Sequence, residues 1–182
     1  RFNKLTQGAY APCTFGTFHS IFFYMLRAAY GYTGENVLGE EEKYKILKDI
    51  VKKFSLEYDD EDDFISDVIG EISKIKGEMI DVKNYYSTSG REEVFRKIYN
   101  EYKQNLNRHN KIDFDDMLVY CYELLKERPD ICKKWQDKYT HILVDEFQDI
   151  NRIQYEILKL LAMPRNNLFI VGDDDQSIYG FR

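Results

Sequence analysis

Residues 142–149 read ILVDEFQD and residues 168–177 read LFIVGDDDQS. In the first stretch Ile142, Leu143 and Val144 make a short apolar run of the type found in strands buried on both faces. That run ends in Asp145 and Glu146. In the second, Leu168, Phe169, Ile170 and Val171 repeat the pattern, closed by Gly172 and followed by Asp173, Asp174, Asp175 and Gln176. Between them Ile150, Ile153, Ile157, Leu160 and Leu161 recur at the spacing of one helix face. Strand, helix and strand within roughly thirty residues form a βαβ unit, which predicts a parallel pair of strands and a right-handed crossover.

Parallel sheets bind ligands just beyond the carboxyl ends of their strands, and both strands here end in acid. A paired carboxylate at such an end has a mechanical use in nucleotide hydrolysis. One carboxylate holds the magnesium ion that bridges the β- and γ-phosphates, and its neighbour positions or deprotonates the attacking water. Magnesium keeps several of its waters, so one or two protein carboxylates suffice. Gln176 brings an amide to the same edge, placed to donate to a γ-phosphate oxygen. A single apolar-Asp-Glu string is commonplace at strand ends. Two acid-tipped strands joined by a helix of the right length are far more specific.

Upstream the chain is helical almost throughout. Residues 13–16 read as the end of a short strand, and Thr17 then opens a helix with Phe18, Ile21, Phe22, Met25 and Leu26 on one face. Gly31 and Gly34 stop it. A second helix is predicted near 40–54, with Ile46, Leu47, Ile50, Val51 and Phe54 inward. The acidic run at 59–63 leads a third, carrying Phe64, Ile65, Val68, Ile72 and Ile75. Such a run reads as a solvated helix start favoured by the dipole, and its spacing is not that of a calcium loop. Tyr85 to Gly90 is a polar turn, expected to be flexible. A long helix follows over 91–108, and Asp113 caps another that stops before Pro129. Asp113, Asp115 and Asp116 read as capping and packing carboxylates.

Composition narrows the class without naming a chemistry. With 182 residues, 43% of them hydrophobic, the chain can bury a sizeable core. No apolar run approaches the roughly 18–20 residues of a membrane span. The net charge of −6 argues against a simple basic nucleic-acid coat. Cys13, Cys121 and Cys132 form no C-x-x-C pair and are odd in number, which favours a reducing cytoplasm over a disulfide framework or a zinc site. The chain opens on Arg1 and is expected to be a piece of a longer one.

The segments ILVDEFQD (142–149) and IVGDDDQSIYGFR (170–182) closely resemble motifs II and III of the UvrD/Rep/PcrA family of superfamily 1 DNA helicases. TFHS (17–20) resembles the DNA-contact motif of that family. IDFDDML (112–118) resembles the segment on which its chain returns from a helical insertion. The four stand in the family's order. The resemblance implies an α/β fold: part of a RecA-like, parallel-sheet P-loop NTPase core, residues 1–20 and 140–182, with a large all-helical insertion subdomain over 21–139. It implies ATP and Mg2+ as nucleotide and cofactor, and a cytoplasmic motor for DNA repair or replication with no membrane partner. Single-stranded DNA and the junction of single and double strands would be its nucleic-acid partners.

Residue by residue, Asp145 with Glu146 beside it would serve the magnesium ion, and Glu146 would be the general base. Gln148 and Gln176 would sense the nucleotide near its γ-phosphate and relay that state. Tyr179 and Phe181 would stack on bases, a sequence-tolerant contact worth about 1–3 kcal/mol per base. Many members carry Trp at the position of Phe181, which implies a weaker stack here, and Gly180 stands where some carry Arg. Arg182 would lie near the strand or the γ-phosphate, and Thr17 and His19 would touch the DNA backbone. On residue type alone His19 reads first as a packed or capping histidine, and Tyr179 and Phe181 as core aromatics.

None of the ten glycines is followed by Lys, so the phosphate-cradling G-x-x-x-x-G-K-[S/T] loop does not occur in these residues. This stretch is therefore expected to be inactive alone. Two alternatives share the pattern: a subunit of an AddA/RecB-type helicase–nuclease, and a non-motor DNA- or protein-binding module on the same fold.

Overall fold

The computed structural model describes residues 13–54, 60–173 and 175. Seven α-helices and two short strands follow one another there: α1 (Phe18–Tyr30), α2 (Glu40–Lys53), α3 (Glu61–Gly77), α4 (Glu92–Arg108), α5 (Phe114–Glu127), α6 (Pro129–Lys138), β1 (Ile142–Val144), α7 (Arg152–Ala162) and β2 (Leu168–Ile170). The architecture is mostly helical with a small parallel sheet.

Helix starts follow side chains that supply the orphan N–H groups with acceptors. Thr17 accepts from the Ser20 amide ahead of α1, and Asp60 accepts from the Asp62 and Asp63 amides ahead of α3. Asp113 and Asp116 cap α5 reciprocally, as Asn151 and Gln154 cap α7. Gly31 ends α1 at φ 73°, a left-handed conformation open to glycine without strain. Pro129 stops α5 but also starts α6 as its first residue, where a missing N–H is harmless.

The sheet pairs Ile142 with Leu168, Leu143 with Phe169 and Val144 with Ile170 in parallel register, as the βαβ reading predicts. Burial on both faces does not hold. Leu143 is 75% and Phe169 62% exposed, whereas Val144 is buried and Ile142 packs against the helical core. Alternate side chains face opposite ways, and among the described residues only one face of this sheet is covered. The expected strand at 13–16 is irregular instead, with no ladder partner among the described residues. A strand needs a neighbour to satisfy its backbone.

Two hydrophobic clusters form. One gathers Phe22, Met25 and Leu26 of α1, Leu118, Cys121 and Leu124 of α5, Trp135 of α6, and Ile153, Ile157 and Leu161 of α7. The other gathers Leu47 and Ile50 of α2, Ile65, Val68 and Ile72 of α3, and Phe95, Ile98 and Tyr102 of α4. Helix α3 packs on α5 and α7 and so joins the two.

Buried charge occupies that join. Lys76 of α3 lies 2.8 Å from Asp113 and 2.7 Å from Asp116, and Lys43 of α2 lies 3.1 Å from Asp115 and 3.6 Å from Asp113. The Tyr102 hydroxyl donates to Asp113 at 2.9 Å and the Ser73 hydroxyl to Asp115 at 2.7 Å. Burial disfavours the Asp113 carboxylate, but Lys76 and Lys43 outweigh it and hold its pKa below the usual range. Asp116 shifts the other way: burial, reinforced by Asp113, outweighs Lys76 and raises it.

The turn at 85–90 is pinned. Buried Glu71 accepts at Oε1 from the Thr88 and Ser89 amides, at 2.9 and 2.7 Å, and from the Ser87 and Thr88 hydroxyls. A single α3 carboxylate orders what composition alone suggests is mobile.

Lys76→Met removes the cation beside buried Asp116 and leaves Asp113 with Lys43 and Tyr102, so urea unfolding is expected to show a loss of about 3–5 kcal/mol. The raised Asp116 contributes stability that is complete below about 3.9 and lost as pH rises through its folded value. The lowered Asp113 works oppositely: its contribution is present above about 3.9 and lost as pH falls. The parent sequence is therefore expected to gain stability between pH 7 and pH 5, and Asp116→Asn to remove that gain. A variant with an unaltered pH profile contradicts this.

Candidate nucleotide and nucleic-acid site

The two strand ends lie side by side. The Val171 amide donates to the Val144 carbonyl at 2.8 Å, and the Phe147 amide donates back to the Val171 carbonyl at 2.9 Å. The pairing thus continues past both strands into the turns that follow them. After β1 the chain reverses at Glu146, which adopts φ 53° and ψ 44°. A left-handed conformation is uncommon for glutamate, and such backbone gathers at functional sites. It leads into a 3₁₀ turn over Phe147–Asp149 that presents several polar side chains at once.

Asp145 and Glu146 are both exposed at this edge. Asp145 Oδ1 accepts from the Glu146 amide at 3.1 Å, which leaves Oδ2 uncommitted among the described residues. Glu146 Oε2 accepts from Gln148 Nε2 at 2.7 Å, and Gln148 Oε1 accepts from the Asp173 amide at 3.0 Å. Asp173 Oδ1 in turn accepts from the Asp175 amide at 3.0 Å, so this acid shapes its own turn. Among the described residues no set of three or more His, Cys, Asp or Glu side chains converges as a protein-only metal cage. The donor set instead fits magnesium, which needs one or two carboxylates and takes its remaining ligands from water and phosphate.

Thr17 and His19 sit elsewhere, at the start of α1. The Thr17 carbonyl accepts from the Ser20 hydroxyl at 2.8 Å, while its side chain caps the helix. The His19 ring meets Phe114 of α5 edge-on, with centroids 5.6 Å apart and planes at 84°. Burial lowers the His19 pKa, opposed by Asp115 and by a hydrogen bond to the Phe114 backbone. His19 is therefore half-buried and packed, the reading its residue type favours. The strand-end residues Asp145, Glu146 and Gln148 come together, and Thr17 and His19 take no part in their hydrogen bonds. Gln176, Tyr179, Phe181 and Arg182 lie outside the described residues, as does Asp174.

Sequence reasoning missed the two-ended engagement of Gln148. The available signal was its spacing, two residues beyond Glu146 in a tight turn. The edge-on contact of Phe147 with Tyr155 of α7, with centroids 6.2 Å apart, was equally hidden; it seats this turn on the crossover helix.

Fold and site together define an α/β protein, largely helical, whose parallel strands present carboxylates and an amide at one edge. The chain belongs to the UvrD/REP helicase N-terminal domain family, whose sequence model matches residues 1–182. It is 37% identical over 175 residues to the putative ATP-dependent DNA helicase YjcD of Bacillus subtilis, covering 92% of this chain and 22% of that protein. It is 36% identical over 174 residues to DNA helicase II of Haemophilus influenzae, covering 92% and 23% respectively. With DNA helicase II of Escherichia coli the identity is 34% over 172 residues, covering 92% and 24%. The chain thus spans about a quarter of the length of the curated relatives it matches.

The lowered His19 pKa means that the fold prefers the neutral ring. That contribution is present above the ordinary 6.5 and is lost as pH falls through the lowered folded value. Titration of the His19 ring protons by NMR should give a midpoint below 6.5, and Asp115→Asn should lower it further by removing the attraction that raises it. A midpoint at or above 6.5 would contradict the packed arrangement.

Proposed function

We propose that this chain is part of the first motor domain of an ATP-dependent DNA helicase, one that translocates 3′ to 5′ on single-stranded DNA and opens duplex at a junction. The observation that carries this reading is the exposed Asp145–Glu146 pair at the end of β1, directly beside the end of β2. Residues 1–20 and 140–182 are assigned to a RecA-like core and 21–139 to a helical insertion, whose independent hydrophobic cluster runs from Leu38 to Leu106.

In this reading Asp145, with Glu146 beside it, would hold the magnesium ion. Magnesium supplies neutralisation of the charge that develops on the β- and γ-phosphate oxygens. Glu146 accepts the proton of the attacking water. Gln148 and Gln176 report the state of the nucleotide site. The DNA backbone meets Thr17 and His19, bases stack on Tyr179 and Phe181, and Arg182 lies along the strand or near the γ-phosphate. The names of the relatives, DNA helicase II and ATP-dependent DNA helicase, support the same assignment. A cytoplasmic protein of DNA repair or replication accords with them. No described helix is long and apolar enough to cross a membrane.

Glu146→Gln in the full-length protein should keep nucleotide binding while nearly abolishing hydrolysis, read by fluorescent-nucleotide titration beside a phosphate-release assay. Turnover at the parent rate would remove Glu146 from the base role. These 182 residues alone should neither hydrolyse ATP nor unwind DNA, because no G-x-x-x-x-G-K-[S/T] loop is among them. DNA-stimulated turnover by the isolated stretch would overturn that.

A further inference from the structure

We propose that Gln148 is an internal clamp, a positioning residue that ties the Glu146 carboxylate to the loop after β2, rather than a free side chain waiting for a γ-phosphate. The proposal rests on the assignment of Glu146 as general base and sharpens the role of its neighbour. Its physical basis is that both ends of the Gln148 amide are already engaged. Nε2 donates to Glu146 Oε2 at 2.7 Å, and Oε1 accepts from the Asp173 amide at 3.0 Å. A carboxylate can only accept and a backbone N–H can only donate, so this orientation of the amide alone satisfies both partners.

The surroundings are built for this bridge. The backbone pairs Val171 to Val144 and Phe147 to Val171 hold the two turns at a fixed separation that a glutamine side chain spans. A side chain at position 172 would obstruct it. A Cβ on Gly172 would lie 2.8 Å from Gln148 Oε1, 3.3 Å from Phe147 Cβ and 3.4 Å from the Gln148 amide nitrogen. Glu146 itself sits in the left-handed region, at φ 53° and ψ 44°, where the chain reverses after β1. Movement of the β2 loop would therefore pull on Oε1 and, through the same rigid amide, alter the placement of the base.

The full-length protein tests this with three variants, read by steady-state ATP hydrolysis on single-stranded DNA and by hydrogen–deuterium exchange across residues 170–175. Gln148→Ala should lower kcat about tenfold, leave the KM for ATP within twofold, and speed exchange at the Asp173 amide about tenfold. Gly172→Ala should reproduce both effects. Gln148→Glu keeps an acceptor for the Asp173 amide but loses the donor to Glu146, so kcat should fall while exchange stays near the parent rate. That split separates the clamp from general loosening and stands even if the alanine variant folds poorly.

A several-fold rise in KM with exchange unchanged would place Gln148 on the nucleotide and overturn the clamp. Unchanged kcat and exchange in Gln148→Ala would do so too. Glu146→Gln serves as the control. If it hydrolyses ATP normally, the general-base assignment fails, and the clamp is then judged by exchange alone. If it is inactive while Gln148→Ala behaves as the parent, only the clamp is wrong.

Discussion

Lys76 Nζ lies 2.8 Å from one Asp113 oxygen and 2.7 Å from one Asp116 oxygen, in a place almost closed to water. An ammonium group there has no alternative solvation, so its position is set by the carboxylates, and theirs by it. Asp113 is 1% exposed and receives a second cation, Lys43, and the Tyr102 hydroxyl. Three helices, α2, α3 and α4, thus send a polar group to the first turn of α5. Two cations face three acids across the network. The imbalance is relieved by the positive end of the α5 dipole and by the raised Asp116, which takes up a proton more readily than an ordinary aspartate. Buried ion pairs are poor sources of net stability but unforgiving of a missing partner. Here they tie the cluster of α2, α3 and α4 to the first turn of α5.

That tie extends to the candidate DNA-contact segment. The first residue of α5, Phe114, meets the His19 ring, and Asp115 acts electrostatically on the same ring while binding Lys43 and Ser73. The start of α1 is therefore positioned by the same turn of α5 that collects the lysines of the helical layer. Gly77 at the end of α3 lies against Asn151, the cap of α7, where an added Cβ would sit 3.0 Å from the amide nitrogen. A displacement of α3 would thus be felt at α5, at the His19 contact and at the crossover helix together.

How much of this could be read from the sequence depends on the range of each interaction. Periodicity and capping are local, and they located α1, α4, α5 and α7, with Thr17 and Asp113 as the starts of two of them because each acts within three positions of itself. The parallel pairing was legible because a short crossover leaves little choice of topology. Lys43 and Lys76 were not legible. On helices dense in lysine and glutamate nothing local marks the two that turn inward toward partners 72 and 37 residues away. The turn at 85–90 failed for the same reason, since its order comes from Glu71 on a different helix. Strand exposure went the other way: Leu143 and Phe169 have buried-strand composition, yet burial also needs a neighbour on the second face.

The strand-end site shows the same division. Asp145 and Glu146 were legible as residues at the exposed end of β1, because two acid-tipped apolar runs joined by one helix place their ends at the same sheet edge. Gln148 was legible only as a residue type. Its geometry depends on the β2 loop, on Gly172, and on a left-handed turn at Glu146 that nothing in the identity of glutamate predicts. These departures from local preference coincide at one edge of the sheet. Backbone that is unfavourable for its residue, a glycine whose added methyl would push the Gln148 amide aside, and an amide used at both ends are each restrictive alone. Together they hold the Glu146 carboxylate at a set angle to a neighbouring loop, so the position of one follows that of the other.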